Sequence, residues 1–379
     1  MPPIRARLVR AKGRVVRALD RVVPAAATAV VHSSPDLDDS VVALLREAPA
    51  DVPVTVLCRD PRAVARRADA LGLPRPRAVP HQSARGWWAY LRSTVAVSTH
   101  GLHGCLPRPG RKSTVGLWHG ELGKAIGAFA GEGPRHFDWV PVSSPLSRSL
   151  RSAEFVLDPA LIHVVGSPRQ RLLAPGPDRA AAPLPPGRHV VWVPTYRTSV
   201  TGAIRTDGDP EALRSELPLD DPRLDALLTR HDATLWFRPH PAADQALPPT
   251  GPRVRRATNA DLADLGLTFY ELLGRADCFV TDYSSVWVDF LLLDRPMVAF
   301  CPDLAAFRSG RGLAVEPHEA WFPGPVVTTA AALLDRLDAA LADPRTGAEV
   351  REHRRAVLHT ATADPVAAVW DRVRSEVGR

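Results

Sequence analysis
The chain has 379 residues, of which 45% are apolar and 23% charged, proportions that fit a globular protein and exclude a disordered or fibrous one. That length predicts two domains rather than one core, and no apolar run reaches the ~18 residues of a membrane-crossing helix. The net charge of +7 sits almost wholly at the amino terminus, so the body lacks the basic field of a nucleic-acid-binding protein.

Residues 1–24 predict a basic amphipathic helix. Arg5, Arg7, Arg10, Lys12, Arg14, Arg17 and Arg21 stand against Asp20 alone, while Ile4, Leu8, Val15, Leu19 and Val22 recur at spacings of three, four and seven and share one helical side. Such a helix suits an anionic membrane surface, each cation adding ~1 kcal/mol near the lipid, or it packs on the body as a solvated helix. The charged start is not followed by an apolar segment, so no signal peptide is expected.

Short apolar runs then alternate with helical segments. "ATAVVHSS" (27–34), "VPVTVLCRD" (52–60), "STVAVSTHG" (93–101) and "KSTVGLWHG" (112–120) read as strands, with helices at 38–48 and 61–72 between them. A Pro/Gly-rich stretch, 173–188, reads as a linker. The pattern restarts with strands at 189–197, 233–241, 278–282 and 296–301, and helices at 222–231, 267–276 and 284–294; Thr268 and Glu271 form a capping box. The fold class expected is α/β: two doubly wound domains, 25–172 and 189–345, with a cleft at the carboxyl ends of their sheets, then a helical segment at 346–379. Cys58, Cys105, Cys278 and Cys301 are scattered, and three lie in apolar runs, so buried reduced thiols and a cytosolic setting are expected.

The chemistry collects at strand ends. "TDYSSVWVDF" (281–290) places Ser284 and Ser285 at a strand-to-helix turn, where backbone N–H groups and hydroxyls favour an anion, although serine also serves as a plain helix cap. Asp289 lies about one turn deeper among Val, Trp, Phe and Leu, where a carboxylate needs a partner; a nucleoside diphosphate would supply one through its ribose. Arg238 and His240 in "WFRPHP" share one strand face and suit phosphate, with a surface arginine and a capped histidine as the plainer alternative. Thr195 and Arg197 end the strand "WVPTYR". His119 in "GLWHGELGK" can act as a general base or be only a turn histidine. His100 and His103 have near-metal spacing, but no carboxylate or cysteine cluster joins them, and no metal is expected there.

Taken in order, "LWHGELGK" (117–124), "GSPR" (166–169), "PTYR" (194–197), "RPHP" (238–241), "YELLGRADCFVTDYSSVWVDFLLLDRPMVAF" (270–300), "FRSGRG" (307–312) and "FPGPVV" (322–327) resemble the CDP-glycerol:glycerophosphotransferases of teichoic acid synthesis. The resemblance covers roughly residues 90–330, and the aspartate-tyrosine-serine-serine block is its most specific element. It implies two Rossmann-like domains of the B-type glycosyltransferase architecture, and transfer of glycerol phosphate or a related polyol phosphate from CDP-glycerol or CDP-ribitol to a lipid-linked saccharide hydroxyl with release of CMP. With the basic helix of residues 1–23 on an anionic surface, a cytoplasmic protein peripheral on the inner face of the cell membrane is expected. On the resemblance, Ser284 and Ser285 bind the pyrophosphate, and His240 and Arg311 lie near the transferred phosphate. His119 is the base, with Gly120 and Lys124 beside it on the acceptor side. Asp289 matches an acidic ribose ligand, and Arg238, Thr195, Arg197 and Asp282 complete the donor side. No cofactor is required, although Mg²⁺ on the donor diphosphate is compatible with the design.

The chain departs from the family pattern at Glu121-Leu122, where Thr-Pro is usual, and at Gln170-Arg171, where an aspartate often follows. Both departures concern the acceptor. The length is that of short members adding one or a few units, without the large amino-terminal region of polymerising ones. A nucleotide-sugar transferase or epimerase of the same fold, and a non-catalytic membrane scaffold, are the alternatives.

Overall fold
The computed structural model describes residues 3–102, 111–174, 184–195, 197, 217–239 and 251–378, with side chains from residue 13 onward. His240, His103, Cys105 and most of the expected linker lie outside the described residues. Two compact units emerge: residues 1–119, 132–172 and 360–379 form the first, and residues 120–131 and 173–359 the second.

In the first unit, strands β1 (Ala26–His32), β2 (Val54–Cys58), β3 (Arg77–Pro80), β4 (Ser93–Ser98) and β5 (Ser113–Gly116) form a parallel sheet in the order β3-β2-β1-β4-β5. The helices between them start where the sequence supplies caps. Asp38 accepts the Val41 N–H, Asp60 the Arg62 N–H ahead of Pro61, and Ser83 the Gly86 N–H, each satisfying an otherwise orphaned donor. Two further parallel strands, β6 (Val140–Val142) and β7 (Ile162–Val164), pair with each other.

The expected carboxyl-terminal segment divides between the units. Helix Pro365–Val377 buries Val366, Val369, Trp370 and Val373 in the first, where the Trp370 indole donates to the Leu44 carbonyl at 3.0 Å. Helix Ala348–Leu358 belongs to the second unit, where Arg351 Nε donates to Asp294 at 3.0 Å.

The second unit repeats the winding. Strands β8 (Arg188–Val193), β9 (Ala233–Phe237), β10 (Val254–Arg256), β11 (Cys278–Thr281), β12 (Met297–Phe300) and β13 (Val326–Val327) run parallel in the order β10-β9-β8-β11-β12-β13. Strands so placed are covered on both faces and read as continuous apolar runs. Val190, Trp192, Leu235, Phe237, Val280, Val298 and Phe300 pack with Leu333, Leu334 and Leu337 of helix Ala330–Ala342. Cys58, Cys278 and Cys301 are buried free thiols. In each sheet the strand order reverses beside the first strand of the unit, between β1 and β4 and between β8 and β11. Doubly wound folds bind their ligands outside the carboxyl ends at such points.

The amino-terminal helix, Pro3–Val22, is turned differently from its sequence pattern. Gly13, Val16 and Asp20 are buried, whereas Val15, Leu19 and Val22 are 58%, 40% and 74% exposed. A buried ion pair explains the rotation. Lys112 Nζ lies 3.4 Å from Asp20, donates to the Ser93 carbonyl and stands 4.9 Å over the Tyr90 ring, while the Arg111 N–H also reaches Asp20. Burial, only partly offset by Asp20, brings Lys112 down to about 8. Among the described residues no helix is long and apolar enough to cross a membrane.

Candidate functional site
At the reversal point of the second sheet, Thr195 follows β8 and Asp282 follows β11. Asp282 accepts the Thr195 N–H at 2.9 Å, the Thr195 hydroxyl at 2.6 Å and Arg197 Nη1 at 2.8 Å. Arg197 donates from its other edge to Asp303, Nε at 2.7 Å and Nη2 at 3.0 Å. The Tyr283 hydroxyl donates to Asp303 at 3.0 Å, and its ring stacks on Phe307 at 3.7 Å. Burial alone would lower Arg197, but Asp282 and Asp303 outweigh it and raise its pKa. The Arg197, Asp282 and Asp303 side chains are each 1% exposed. Thr195, Arg197 and Asp282, expected as direct donor ligands, therefore hold one another beneath the sheet edge. A guanidinium bonded along both edges has its fork committed, and its work is to fix the loops after β8, β11 and β12.

Ser284 and Ser285 sit above that network, half-buried, at the start of the short helix Val286–Phe290. Ser285 makes no side-chain capping bond, so the plain cap reading does not describe it. The backbone comes close instead: a Cβ on Gly120 would lie 1.9 Å from Ser285 Oγ, and one on Gly123 would lie 3.1 Å from Ser285 Cβ. At 120 only glycine permits that approach, and at 123 a side chain would make it tight. The loop is held by the Ala125 N–H to the Gly312 carbonyl at 3.0 Å, the Ala314 N–H to the Gly123 carbonyl at 2.9 Å, and a bridge between Lys124 and Leu313. Gly120 and Lys124, expected on the acceptor side, thus belong to the second unit, against the serine turn.

Asp289 is 2% exposed, and Tyr270 donates its hydroxyl to it at 2.5 Å. The partner that the sequence reading sought in a ribose is supplied, at least for one oxygen, by the protein. Arg238 is also engaged: it donates to the Ala257 carbonyl and Asn259 Oδ1, both at 2.7 Å, and stacks 4.3 Å over Phe269. It ties the end of β9 to the segment after β10. Arg311 is half-buried, and its N–H closes helix Leu304–Gly310 on Phe307.

In the first unit, His119 is exposed and lies face to face with His100, ring centroids 4.0 Å apart and planes 2° apart. The Trp118 ring is 4.7 Å from it, and Arg169 Nη1 donates to the Trp118 carbonyl at 3.3 Å. Among the described residues no group of three or more His, Cys, Asp or Glu is arranged to hold a metal. Sequence reading missed Tyr270, Asp303 and the stacking of His100 on His119. Tyr270 stands inside the capping-box helix that it did find, and Asp303 follows the strand run "MVAFC", so only their pairings were hidden.

Comparison with known proteins agrees with this fold. The structure of the wall teichoic acid polymerase TagF matches with a TM-score of 0.74 at 19% identity, covering 98% of this chain and 93% of that one. The chain is similar to the teichoic acid ribitol-phosphate primase of Bacillus spizizenii, 28% identical over 58% of this chain and 59% of the relative. It is also similar to the ribitol-phosphate polymerase TarK of Staphylococcus aureus, 27% identical over 41% of this chain and 28% of the relative. It therefore spans about three-fifths of the length of the first and less of the second. With the family model matching residues 40–367, the chain belongs to the CDP-glycerol:poly(glycerophosphate) glycerophosphotransferase family.

Proposed function
We propose that the protein is a transferase that moves glycerol phosphate, or a related polyol phosphate, from a CDP-alcohol to an acceptor hydroxyl, releasing CMP. The acceptor is a lipid-linked saccharide in teichoic-acid-like polymer synthesis. Family membership over residues 40–367 carries the reading. Relatives named as ribitol-phosphate and glycerol-phosphate primases support it, as does a TagF structure soaked with CDPG.

The acceptor oxygen attacks the β-phosphorus in line. Its bond to phosphorus forms as the bond from phosphorus to the bridging oxygen of CMP breaks, and His119 takes the hydroxyl proton. His240, Arg311 and the Ser284 and Ser285 hydroxyls steady the charge moving onto the diphosphate, since phosphoryl transfer is mostly positioning and electrostatics. Asp282, Arg197, Asp303 and Thr195 hold the serine turn in place. The reading requires no metal, so turnover survives EDTA; loss restored by Mg²⁺ would put the ion on the donor diphosphate instead. His119→Ala and His240→Ala each lower CMP release by roughly 10² or more, and near-normal release by either removes the role given to it.

The protein works at the inner membrane face. The ridge Val15, Leu19 and Val22 is turned to solvent beside exposed Arg14 and Arg21, an arrangement suited to anionic lipid. Co-sedimentation with vesicles containing phosphatidylglycerol, lost on Leu19→Glu with Val22→Glu, is the expected result; equal pelleting of that variant would contradict it.

A further inference from the structure
We propose that His100 is a positioning residue for His119, holding the plane of its imidazole so that the proton-accepting nitrogen keeps one direction during turnover. The inference rests on the reading of His119 as the base.

His119 is exposed, and an exposed imidazole samples several rotamers unless something restricts it. The face of His100 lies against it, 4.0 Å away and parallel to within 2°. His100 is itself tied down. Its Nδ1 is 3.0 Å from the Thr99 hydroxyl. Thr99, fully buried, donates its N–H to the His32 carbonyl at 3.2 Å. The ring stacked on His119 is therefore tied to the residue that follows β4, which is itself bonded to the end of β1.

The charges around His100 favour a neutral ring. Burial is the main cause, with His32 at the end of β1 and the guanidiniums of Arg135 and Arg169 adding to it, and together they bring it to about 4. A second cation stacked at 4.0 Å would oppose proton uptake by His119; a neutral ring permits it. The "THGLHG" stretch, with its near-metal spacing, thus has a use that needs no metal.

The test compares kcat and donor KM for CMP release in wild type, His100→Ala, His100→Phe, His100→Gln and His119→Ala, with a ring-proton NOE between His100 and His119 in histidine-labelled protein. Expected are an NOE in wild type, a kcat lowered about tenfold or more in His100→Ala with donor KM unchanged, and recovery of most of that loss by Phe, which keeps a flat neutral face. Should His100→Ala fail to fold, Phe exceeding Gln in kcat carries the same conclusion. A kcat for His100→Ala within about twofold of wild type, Phe no faster than Gln, or no ring NOE overturns the positioning role. Turnover persisting in His119→Ala overturns the base reading instead, so the two failures are told apart.

Discussion
Tyr270 donates its hydroxyl hydrogen to Asp289 at 2.5 Å inside the second unit, both residues buried. A buried carboxylate deprived of a donor costs ~1–3 kcal/mol. Tyr270→Phe should lose about that much stability in urea unfolding. Asp289→Asn should lose a similar amount and also raise the donor KM several-fold. An unchanged KM would take Asp289 out of the donor site and leave the tyrosine pairing as its whole role.

Arg197 between Asp282 and Asp303 makes a second prediction. Removing the cation leaves two buried carboxylates together, and breaking a buried pair from one side costs about 3–5 kcal/mol. Arg197→Met should therefore unfold at markedly lower urea, with CMP release falling because the serine turn loses its support. A midpoint within error of wild type would mean the network contributes nothing to the fold.

Asp38 predicts a pH dependence. Burial first, and Asp39 beside it, push its carboxyl up to about 6 despite the Val41 N–H, Thr99 and Arg169. The folded state therefore binds this proton more tightly than the unfolded chain. The stability it contributes is complete below about pH 4 and is lost as pH rises toward 6. Relative to Asp38→Asn, wild type should lose roughly 1–2 kcal/mol across that window, allowing for partial exposure. A difference that stays flat from pH 4 to 7 contradicts the shift.

Gly120 is the fourth case. A methyl there meets Ser285 Oγ at 1.9 Å and Ser285 Cβ at 2.8 Å, so the hydroxyl and the turn that carries it must both move away. Gly120→Ala should lower kcat about as far as Ser285→Ala does, and the double variant should be little worse than either, because both changes remove one hydroxyl from one place. Fully additive losses would separate the glycine from the serine.

Much of this fold was legible because parallel strands buried on both faces leave apolar runs such as "VTVLC", "CFVT" and "MVAF", and because Asp38, Asp60 and Thr268 mark helix starts. The serine turn and His119 were legible as polar residues at strand ends. What stayed hidden was pairing across the topology. Arg197 meets Asp303 over 106 positions because the loops after β8 and β12 flank the one after β11, and nothing local in "PTYR" announces it. The orientation of the amino-terminal helix was hidden for the same reason: helical spacing favoured Val15, Leu19 and Val22 as one face, while Lys112, far along the chain, pairs with Asp20 and turns that face to water. Arg238 read as a phosphate ligand because its stacking on Phe269 depends on a strand connection that spacing does not reveal.

The central claim is that the donor is a CDP-alcohol cleaved within its pyrophosphate. Its most direct test is to incubate the protein and a lipid-linked acceptor with CDP-glycerol, CDP-ribitol and a panel of UDP- and GDP-sugars, and to identify the nucleotide released. The account predicts CMP from a CDP-alcohol and no nucleotide from the sugar donors. Release of UDP or GDP from a nucleotide sugar, with both CDP-alcohols left intact, would contradict it.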